Sequence, residues 1–106
     1  MRGQFVTITL QGDYGKPRPA LIIQSDIFSD IPSVTIVPLT SELRNAPLLR
    51  FTVKPSTENG LRKISQLMID KINTVPREKI GSIIGKLGQS ELIQIDRLIA
   101  VFLDLA

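Results

Sequence analysis

A basic, proline-rich loop carries the side chain in this sequence that is best suited to chemistry. Arg18 lies between Pro17 and Pro19 within residues 12–24, and the two prolines restrict the backbone around its guanidinium. The loop continues into the apolar residues of a predicted strand, and a loop that ends on a rigid strand can place a catalytic group. A stiff, basic hairpin connection is the alternative interpretation of the same residues. Local chemistry alone leaves both interpretations open.

The composition excludes several kinds of catalysis. The chain has no Cys and no His, which excludes thiol nucleophiles, disulfides, zinc chemistry and Ser-His-Asp triads. Its ten acidic residues are scattered, and no two are spaced to share a metal ion. We therefore expect no metal and no cofactor, with Arg, Lys, Asp, Glu, Ser, Thr or Tyr doing any chemistry. The net charge of +3 and the pI near 9.6 favour a polyanionic partner.

The length of the chain fits one domain over residues 1–106. Its content of 42% hydrophobic and 22% charged residues is that of a globular protein rather than a disordered one. No apolar run approaches the ~18 residues of a membrane helix, and the N-terminus has no basic segment followed by an apolar core. The sequence therefore predicts a cytoplasmic protein with no membrane span and no signal peptide.

Alternating apolar residues and β-branched side chains predict a series of short strands. The predicted strands cover residues 4–10, 18–24, 33–39, 48–53, 64–72 and 82–87. The first two form a hairpin around the Arg18 loop. In the fifth strand, the consecutive apolar residues Leu67, Met68 and Ile69 indicate burial on both faces or a subunit contact. The pair Asn59-Gly60 predicts a turn over residues 56–60 with a positive φ.

Helical signals are few. Ser25 can cap a single turn over residues 26–30, and Thr74 is a candidate cap for a helix that starts at residues 74–78. The one clear amphipathic helix covers residues 90–105, where apolar side chains recur at helical spacing. The pattern thus predicts a mainly β fold in which a small, strongly curved sheet closes towards a barrel and a C-terminal helix packs on it.

The stretch GSIIGKL at residues 81–87 superficially resembles a phosphate-binding loop. It has one residue too few between its glycines, and Leu87 stands where a Ser or Thr would hold magnesium. We interpret the glycines as a bend in a short strand.

Three motifs together resemble the MazF/PemK family of toxin endoribonucleases. They are Gly15 with Arg18-Pro19-Ala20 and the aliphatic residues 21–23, then residues 37–39 followed by Thr40-Ser41, and last Ser65-Gln66 in a later strand. Their order and spacing agree with the family over almost the whole chain, most clearly in the first 41 residues. The resemblance implies an SH3-like barrel of the MazF/CcdB/Kid type with short helices, and it implies a homodimer.

The resemblance also implies the activity and the residues that carry it. The protein would be the toxin of a type II toxin-antitoxin pair that cuts single-stranded RNA sequence-specifically and without metal, leaving a 2′,3′-cyclic phosphate and a 5′-hydroxyl. RNA permits this because its 2′-hydroxyl is an internal nucleophile. By resemblance, Arg18 stabilises transition-state charge and donates a proton, and Thr40 adds a neutral hydrogen bond to the phosphorane oxygens.

The general base is left open, because a guanidinium does not readily release its proton. Asp13 lies roughly where some relatives have an acid, so it can orient Arg18 or accept the proton, but it is equally suited to an Asx turn. Several relatives have an Arg and an Asp on the fifth strand, where this chain has Lys63 and Ser65. Because Ser65 cannot act as an acid, either Asp13 has taken that role or catalysis differs in this chain.

Further polar and aromatic side chains are candidates for RNA binding. Tyr14 is the candidate for stacking on unpaired bases, whereas Phe28 and Phe51 are more typical of core residues. The remaining candidates are basic residues that could follow the phosphates and polar residues within the motifs, namely Lys16, Ser41, Arg44, Arg50, Lys63, Ser65 and Gln66. Thr40 and Ser41 can alternatively serve as caps of the loop over residues 40–46.

The implied partners are single-stranded RNA and a cognate antitoxin, whose acidic, disordered C-terminal tail would order across a groove between two Arg18 loops. An alternative function from another class is a CcdB-like DNA gyrase poison that acts by binding, without nuclease chemistry, through residues 102–106. The departure at Ser65 keeps a third alternative open, a catalytically silent RNA-binding or structural relative.

Overall fold

The computed structural model describes residues 1–9 and 16–106 of the chain. These residues contain seven strands and one α-helix. The strands are β1 (Gln4–Ile8), β2 (Arg18–Ile22), β3 (Ser33–Thr40), β4 (Arg50–Val53), β5 (Ser65–Met68), β6 (Asn73–Pro76) and β7 (Ile80–Lys86), and the helix is α1 (Gln89–Phe102). Single 3-10 turns lie at Asp26–Phe28, Ile69–Lys71 and Arg77–Lys79. The predicted mainly β fold with a C-terminal helix is confirmed.

All strand pairs are antiparallel, in the order β4-β5-β3-β2-β1-β7 with β6 paired to β3. One edge of β3 pairs with β2, and the other pairs first with β6 and then with β5. The turn Ile69–Lys71 lies between β5 and β6 and takes three residues out of the sheet. The register of β6 on β3 is therefore displaced by three residues from that of β5.

The prediction of a helix start over residues 74–78 is wrong. Thr74 lies in β6 opposite Thr35, and the two hydroxyl oxygens are 2.9 Å apart in a hydrogen bond. Only Arg77–Lys79 forms a 3-10 turn, so Pro76 ends a strand instead of opening a helix. The predicted strand over residues 64–72 is likewise too long, because it is interrupted by the turn after Met68. Pairing with β3, a distant segment, overrides the local capping signal.

The other predicted elements are present with shifted ends. The strands predicted over residues 4–10 and 18–24 end two residues earlier, at Ile8 and Ile22. The helix predicted over residues 90–105 ends at Phe102. Ser25 caps the Asp26–Phe28 turn as predicted, its hydroxyl accepting the N–H of Ile27 at 3.4 Å.

Two clusters of buried apolar side chains pack on opposite faces of the sheet. The cluster beneath α1 contains Phe5, Leu21, Val37, Leu39, Val53, Leu67, Ile69, Leu87, Leu92 and Ile95, and the second contains Val6, Ile8, Ala20, Ile22, Val34, Ile36 and Val75. Along β1 to β3 the odd-numbered residues point to the first and the even-numbered residues to the second, as strand alternation requires. Because Leu67 and Ile69 are fully buried within one chain, the apolar run at residues 67–69 needs no subunit contact.

Helix α1 is amphipathic and lies over the larger cluster. It buries Leu92 and Ile95, while Ile93, Val101 and Phe102 are exposed. Within residues 1–9 and 16–106, no helix is both long enough and apolar enough to cross a lipid bilayer.

Arg2 connects this helix to the sheet. Its guanidinium is hydrogen-bonded to the Asp96 carboxylate of α1 and donates to the Ile23 carbonyl at 3.0 Å. Its backbone N–H donates to the Asp26 carboxylate at 2.8 Å. One residue thus fixes α1, the end of β2 and the turn that follows β2.

Replacing Arg2 with Ala should lower the free energy of unfolding by about 1–2 kcal/mol, the scale for charge-assisted hydrogen bonds that are partly screened by solvent. Chemical denaturation monitored by circular dichroism measures this. Arg97→Ala is the matched control, because Arg97 is an exposed arginine on the same helix. Its effect should stay within about 0.5 kcal/mol. Equal losses in the two variants would contradict the role given to Arg2.

Candidate active site

Arg18 begins β2, and Thr40 ends β3, the strand that pairs with β2. The register of β2 with β3 pairs Ala20 with Pro38. Continuing that antiparallel register by two residues on each strand brings Arg18 opposite Thr40. Residues directly opposite in a sheet project from the same face, so both side chains belong to one side of the sheet. The strand pairing thus brings together the two residues to which the family resemblance gave catalytic roles.

Both residues line an open cleft of about 290 Å³. Its walls are the start of β2, the end of β3 and the segment that leads into β5, and its lining residues are Arg18, Pro19, Leu39, Thr40, Ser41, Leu61, Arg62, Lys63 and Ser65. These described lining residues include three cations and no carboxylate. Such a cleft attracts phosphate groups, and arginine matches phosphate oxygens with a pair of parallel donors.

The Thr40 hydroxyl has a structural role in addition to its place in the cleft. Its oxygen accepts the backbone N–H of Glu42 at 3.1 Å, which confirms Thr40 as a cap of the loop that follows. A hydroxyl carries one donor hydrogen as well as its acceptor lone pairs. The Glu42 contact uses only a lone pair, so it orients Thr40 without using the hydrogen that an anionic oxygen would accept.

Gln66 is buried and holds the loop between β3 and β4. Its Oε1 accepts the N–H of Arg44 at 3.0 Å and Nη1 of Arg50 at 3.3 Å. Its Nε2 donates to the Arg44 carbonyl and to the Thr52 hydroxyl, each at 3.1 Å. Gln66 is also the cross-strand partner of Thr40. The structure therefore places Gln66 as a positioning residue behind the cleft, and direct RNA contact by Gln66 stays a prediction.

Arg44 and Arg50 are not among the residues that line the cleft. Nη2 of Arg44 lies 3.4 Å from the Glu42 carboxylate in an exposed ion pair. Nη1 of Arg50 donates to the Glu42 carbonyl at 3.0 Å in addition to its bond with Gln66. Both arginines order the loop after Thr40, and RNA binding by either is a prediction that these contacts leave untested.

Ser41, Lys63 and Ser65 do line the cleft, as the motifs predicted. Ser41 and Lys63 are exposed, whereas Ser65 is buried and its hydroxyl donates to the Lys63 carbonyl at 3.0 Å. This contact fixes the segment that carries Lys63. Ser65 contributes to the shape of the cleft.

The sequence prediction did not include Arg62, the third cation of the cleft. Arg62 is exposed and follows the turn over residues 56–60, so the position of that turn decides where its side chain can reach. The available signal was the basic pair Arg62-Lys63 directly after an Asn-Gly turn. Only Lys63 was predicted, because the third motif begins close to it.

Asn59 fixes the turn that precedes Arg62. Its buried Oδ1 accepts the N–H groups of Ser56 and Leu61, both at 3.0 Å. Gly60 has φ +69°, which confirms the predicted positive φ of the Asn-Gly pair. A Cβ at Gly60 would lie 2.2 Å from the Ile84 carbonyl oxygen, so only glycine permits this approach of the turn to β7.

The remaining predicted residues either fall outside the part of the chain that the structure describes or are not among the described lining residues of the cleft. Asp13 and Tyr14 fall outside residues 1–9 and 16–106, so their roles stay predictions. Lys16 is exposed just before Arg18. Phe28 is 51% exposed and follows the opposite end of β2 from Arg18, whereas Phe51 packs against the larger core cluster. Across the described ranges, no group of three or more acidic residues is arranged to hold a metal ion.

The fold is similar to that of solved toxin structures. The Mycobacterium tuberculosis toxin MazF-mt6 superposes with a TM-score of 0.83 at 26% identity, covering 97% of this chain and 98% of that one. An endoribonuclease from a mycobacterial species, solved in complex with its cognate antitoxin, gives a TM-score of 0.84 at 22% identity and covers 100% of this chain and 96% of the other.

Sequence comparison extends this likeness to the family. The probable endoribonuclease MazF of Mycolicibacterium smegmatis is 45% identical over 106 residues, which span 99% of this chain and 97% of that relative. A family model described as PemK-like, MazF-like toxin of type II toxin-antitoxin system matches residues 1–103. Together with the paired Arg18 and Thr40, these matches lead to one conclusion: the chain belongs to the PemK-like, MazF-like toxin family of type II toxin-antitoxin systems.

Proposed function

We propose that this protein is an endoribonuclease toxin that cuts single-stranded RNA by attack of the substrate's own 2′-hydroxyl, without a metal ion. The observation that carries this proposal is the placement of Arg18 opposite Thr40 in a cleft whose described charged residues are all cations. The 45% identity to a probable endoribonuclease MazF, across nearly all of both chains, supports the reaction class.

In the proposed reaction, the 2′-oxygen forms a bond to the adjacent phosphorus and the bond from phosphorus to the 5′-oxygen breaks. The proton of the 2′-hydroxyl passes to a base, and the leaving 5′-oxygen gains a proton. The products are a 2′,3′-cyclic phosphate and a 5′-hydroxyl. Because the nucleophile belongs to the substrate, the enzyme needs to align it and to stabilise charge rather than to supply an attacking group.

Arg18 and Thr40 fit these two tasks. The Arg18 guanidinium neutralises charge that grows on the phosphorane oxygens and can donate towards the leaving oxygen. The Thr40 hydroxyl, held by Glu42, adds a hydrogen bond whose orientation is set before substrate binds. Ser65 has no acidic group, so the general base stays open, with Asp13 as a candidate on the strength of its position in the sequence.

Arg62 and Lys63 extend the positive charge of the cleft beyond Arg18. Cations spaced along a groove follow a nucleic-acid backbone without reading its sequence. We assign Arg62 and Lys63 to the phosphates on either side of the scissile bond. The alternative of a CcdB-like gyrase poison finds no support, since the relative that is 45% identical is named an endoribonuclease.

The proposal includes a cognate antitoxin and a homodimer in the cytoplasm. Related toxins have been solved with a cognate antitoxin or with MazE. The cationic cleft suits an acidic antitoxin tail that orders as it binds. The end of α1 provides an apolar surface for a second copy, because Val101, Phe102 and Leu103 are each about half exposed.

The two site variants test the catalytic assignment. Arg18→Ala should abolish cleavage of an unstructured RNA with the fold intact, because the guanidinium acts on transition-state charge. Thr40→Ala should raise the barrier by about 2–3 kcal/mol, the scale for one oxyanion donor. Single-turnover assays with circular dichroism as the fold check measure both.

Two control variants separate chemistry from structure in this test. Thr40→Ser keeps a hydroxyl for both the loop and the substrate, and it should retain most of the activity. Arg97→Ala removes an exposed arginine on α1, away from the cleft, and it should cut RNA normally. Cleavage by Arg18→Ala at the wild-type rate would refute the assignment.

The substrate itself tests internal attack. A single deoxyribose on the 5′ side of the scissile phosphate should block cleavage at that site, because no other nucleophile replaces the missing hydroxyl. The same RNA should compete with normal substrate at similar affinity, since phosphate contacts and stacking are retained. EDTA should leave the wild-type rate unchanged. An undiminished rate on the deoxy-substituted RNA would rule out the internal nucleophile.

The assembly can be tested by light scattering at micromolar concentration, which should give twice the chain mass of 11.7 kDa. Val101→Glu should weaken this dimer by placing a charge on the apolar end of α1. A wild-type mass equal to that of one chain would contradict the dimer.

A further inference from the structure

A second cavity adjoins the catalytic cleft and shares part of its wall. It has a volume of about 490 Å³. Pro19, Leu61 and Arg62 line both cavities, and Thr7 and Ile84 line only the second. A polymer bound over Arg18 and Thr40 therefore reaches the second cavity by passing these shared side chains.

An irregular pairing of β7 with β1 occurs at Ile84, which lines this cavity and also packs against the larger core cluster. Phe5 pairs with Gly85 and Val6 pairs with Ile83, so Ile84 is an extra residue without a cross-strand partner. A bulge of this kind bends the strand and redirects the side chain, and bulges are frequent next to functional sites. The side chain of Ile84 is half-buried, whereas Ile83 beside it is 64% exposed.

A close contact between β7 and the turn over residues 56–60 keeps the cavity wall in place. A Cβ at Gly85 would lie 2.4 Å from the carbonyl carbon of Asn59, just as one at Gly60 would meet the Ile84 carbonyl. Backbone lies against backbone at both positions, which allows little adjustment. The sequence interpretation of Gly81 and Gly85 as a strand bend is thus incomplete, because Gly85 also serves this contact.

The chemistry of the lining matches a nucleobase attached to a phosphate. Pro17, Pro19, Leu61 and Ile84 present apolar surface to the flat face of a base, and Arg62 supplies a cation at the boundary with the cleft. The Thr7 hydroxyl accepts the N–H of Ser82 at 2.9 Å and keeps its own hydrogen for a base acceptor. Single-stranded RNA is recognised through unstacked bases that stack on aromatic side chains or arginine and hydrogen-bond through their edges, and this cavity offers Arg62 and the Thr7 hydroxyl.

We propose that the second cavity binds the base of a nucleotide flanking the scissile phosphate, with Arg62 on the intervening phosphate, and so contributes to the choice of cut site. This proposal rests on the endoribonuclease function proposed above. Continuity with the catalytic cleft and the cation between the two cavities identify RNA as the occupant.

The test compares Ile84→Phe, which places a larger side chain in the cavity, with Ile83→Phe, which adds the same ring on the exposed neighbouring residue. Each protein is assayed on a cleavable RNA and on two modified versions of it. In one version the nucleotide 5′ of the cut lacks its base, and in the other the nucleotide 3′ of the cut lacks its base. In the wild type, one abasic position should lower kcat/KM by about tenfold or more, the scale for one base contact. Ile84→Phe should lower kcat/KM on the intact RNA by a similar factor, and removing the sensitive base should then lower kcat/KM little further. Ile83→Phe should behave as the wild type does.

Thr7→Val gives a second test that keeps side-chain shape and does not fill the cavity. Thr7→Val should reduce the differences in kcat/KM among four RNAs that carry A, C, G or U at the position where removal of the base lowers kcat/KM. If wild type and Ile84→Phe respond equally to both abasic RNAs, the base site is wrong.

If Ile84→Phe cuts RNA with unchanged base preference but no longer forms the wild-type assembly, the cavity is a contact between copies and the proposal is overturned. Failure of the wild type to cut any RNA would instead refute the nuclease proposal and this one with it.

Discussion

The hydrogen-bonded register of β3 is the constraint on which the site depends. One edge of β3 brings Arg18 opposite Thr40, and the other edge makes Gln66 the partner of the same threonine. A slip of one residue would turn every β3 side chain to the other face of the sheet. The two apolar clusters oppose that slip, because each accepts alternate residues of the same strands. Core packing therefore fixes the placement of Arg18 and Thr40, although neither residue belongs to the two clusters.

The fold class was predictable because its signals are local, whereas the pairing of Arg18 with Thr40 was expected only from the resemblance of three motifs to a family. Each of these signals can be recognised within a short stretch of sequence: the prolines beside Arg18, the alternation along the strands and the amphipathic pattern of the terminal segment. Thr74 shows where this fails, since its capping signal is genuine but pairing with Thr35 decides its conformation. The loop-ordering role of Gln66 and the place of Arg62 in the cleft could not be predicted for the same reason. The burial of Gln66 and the reach of Arg62 depend on segments distant in sequence.

Several residues of the candidate site order the loops around the cleft. Thr40 caps the loop that Gln66 and Arg50 hold, so the structure after β3 and the orientation of the hydroxyl are set together. Ser65 fixes the backbone of Lys63 in a similar way on the opposite wall. Hydrogen bonds to backbone groups therefore order the segments on both sides of the cleft.

The concentration of positive charge in the cleft has a consequence for the stability of the protein. Arg18, Arg62 and Lys63 line one cleft, so a polyanion bound there meets several cations at once. A ligand that binds only the folded chain shifts the equilibrium away from unfolded chains by mass action. Occupancy of the cleft is therefore coupled to the lifetime of the protein as well as to its activity, and a chain with an empty cleft is the form most exposed to proteolysis.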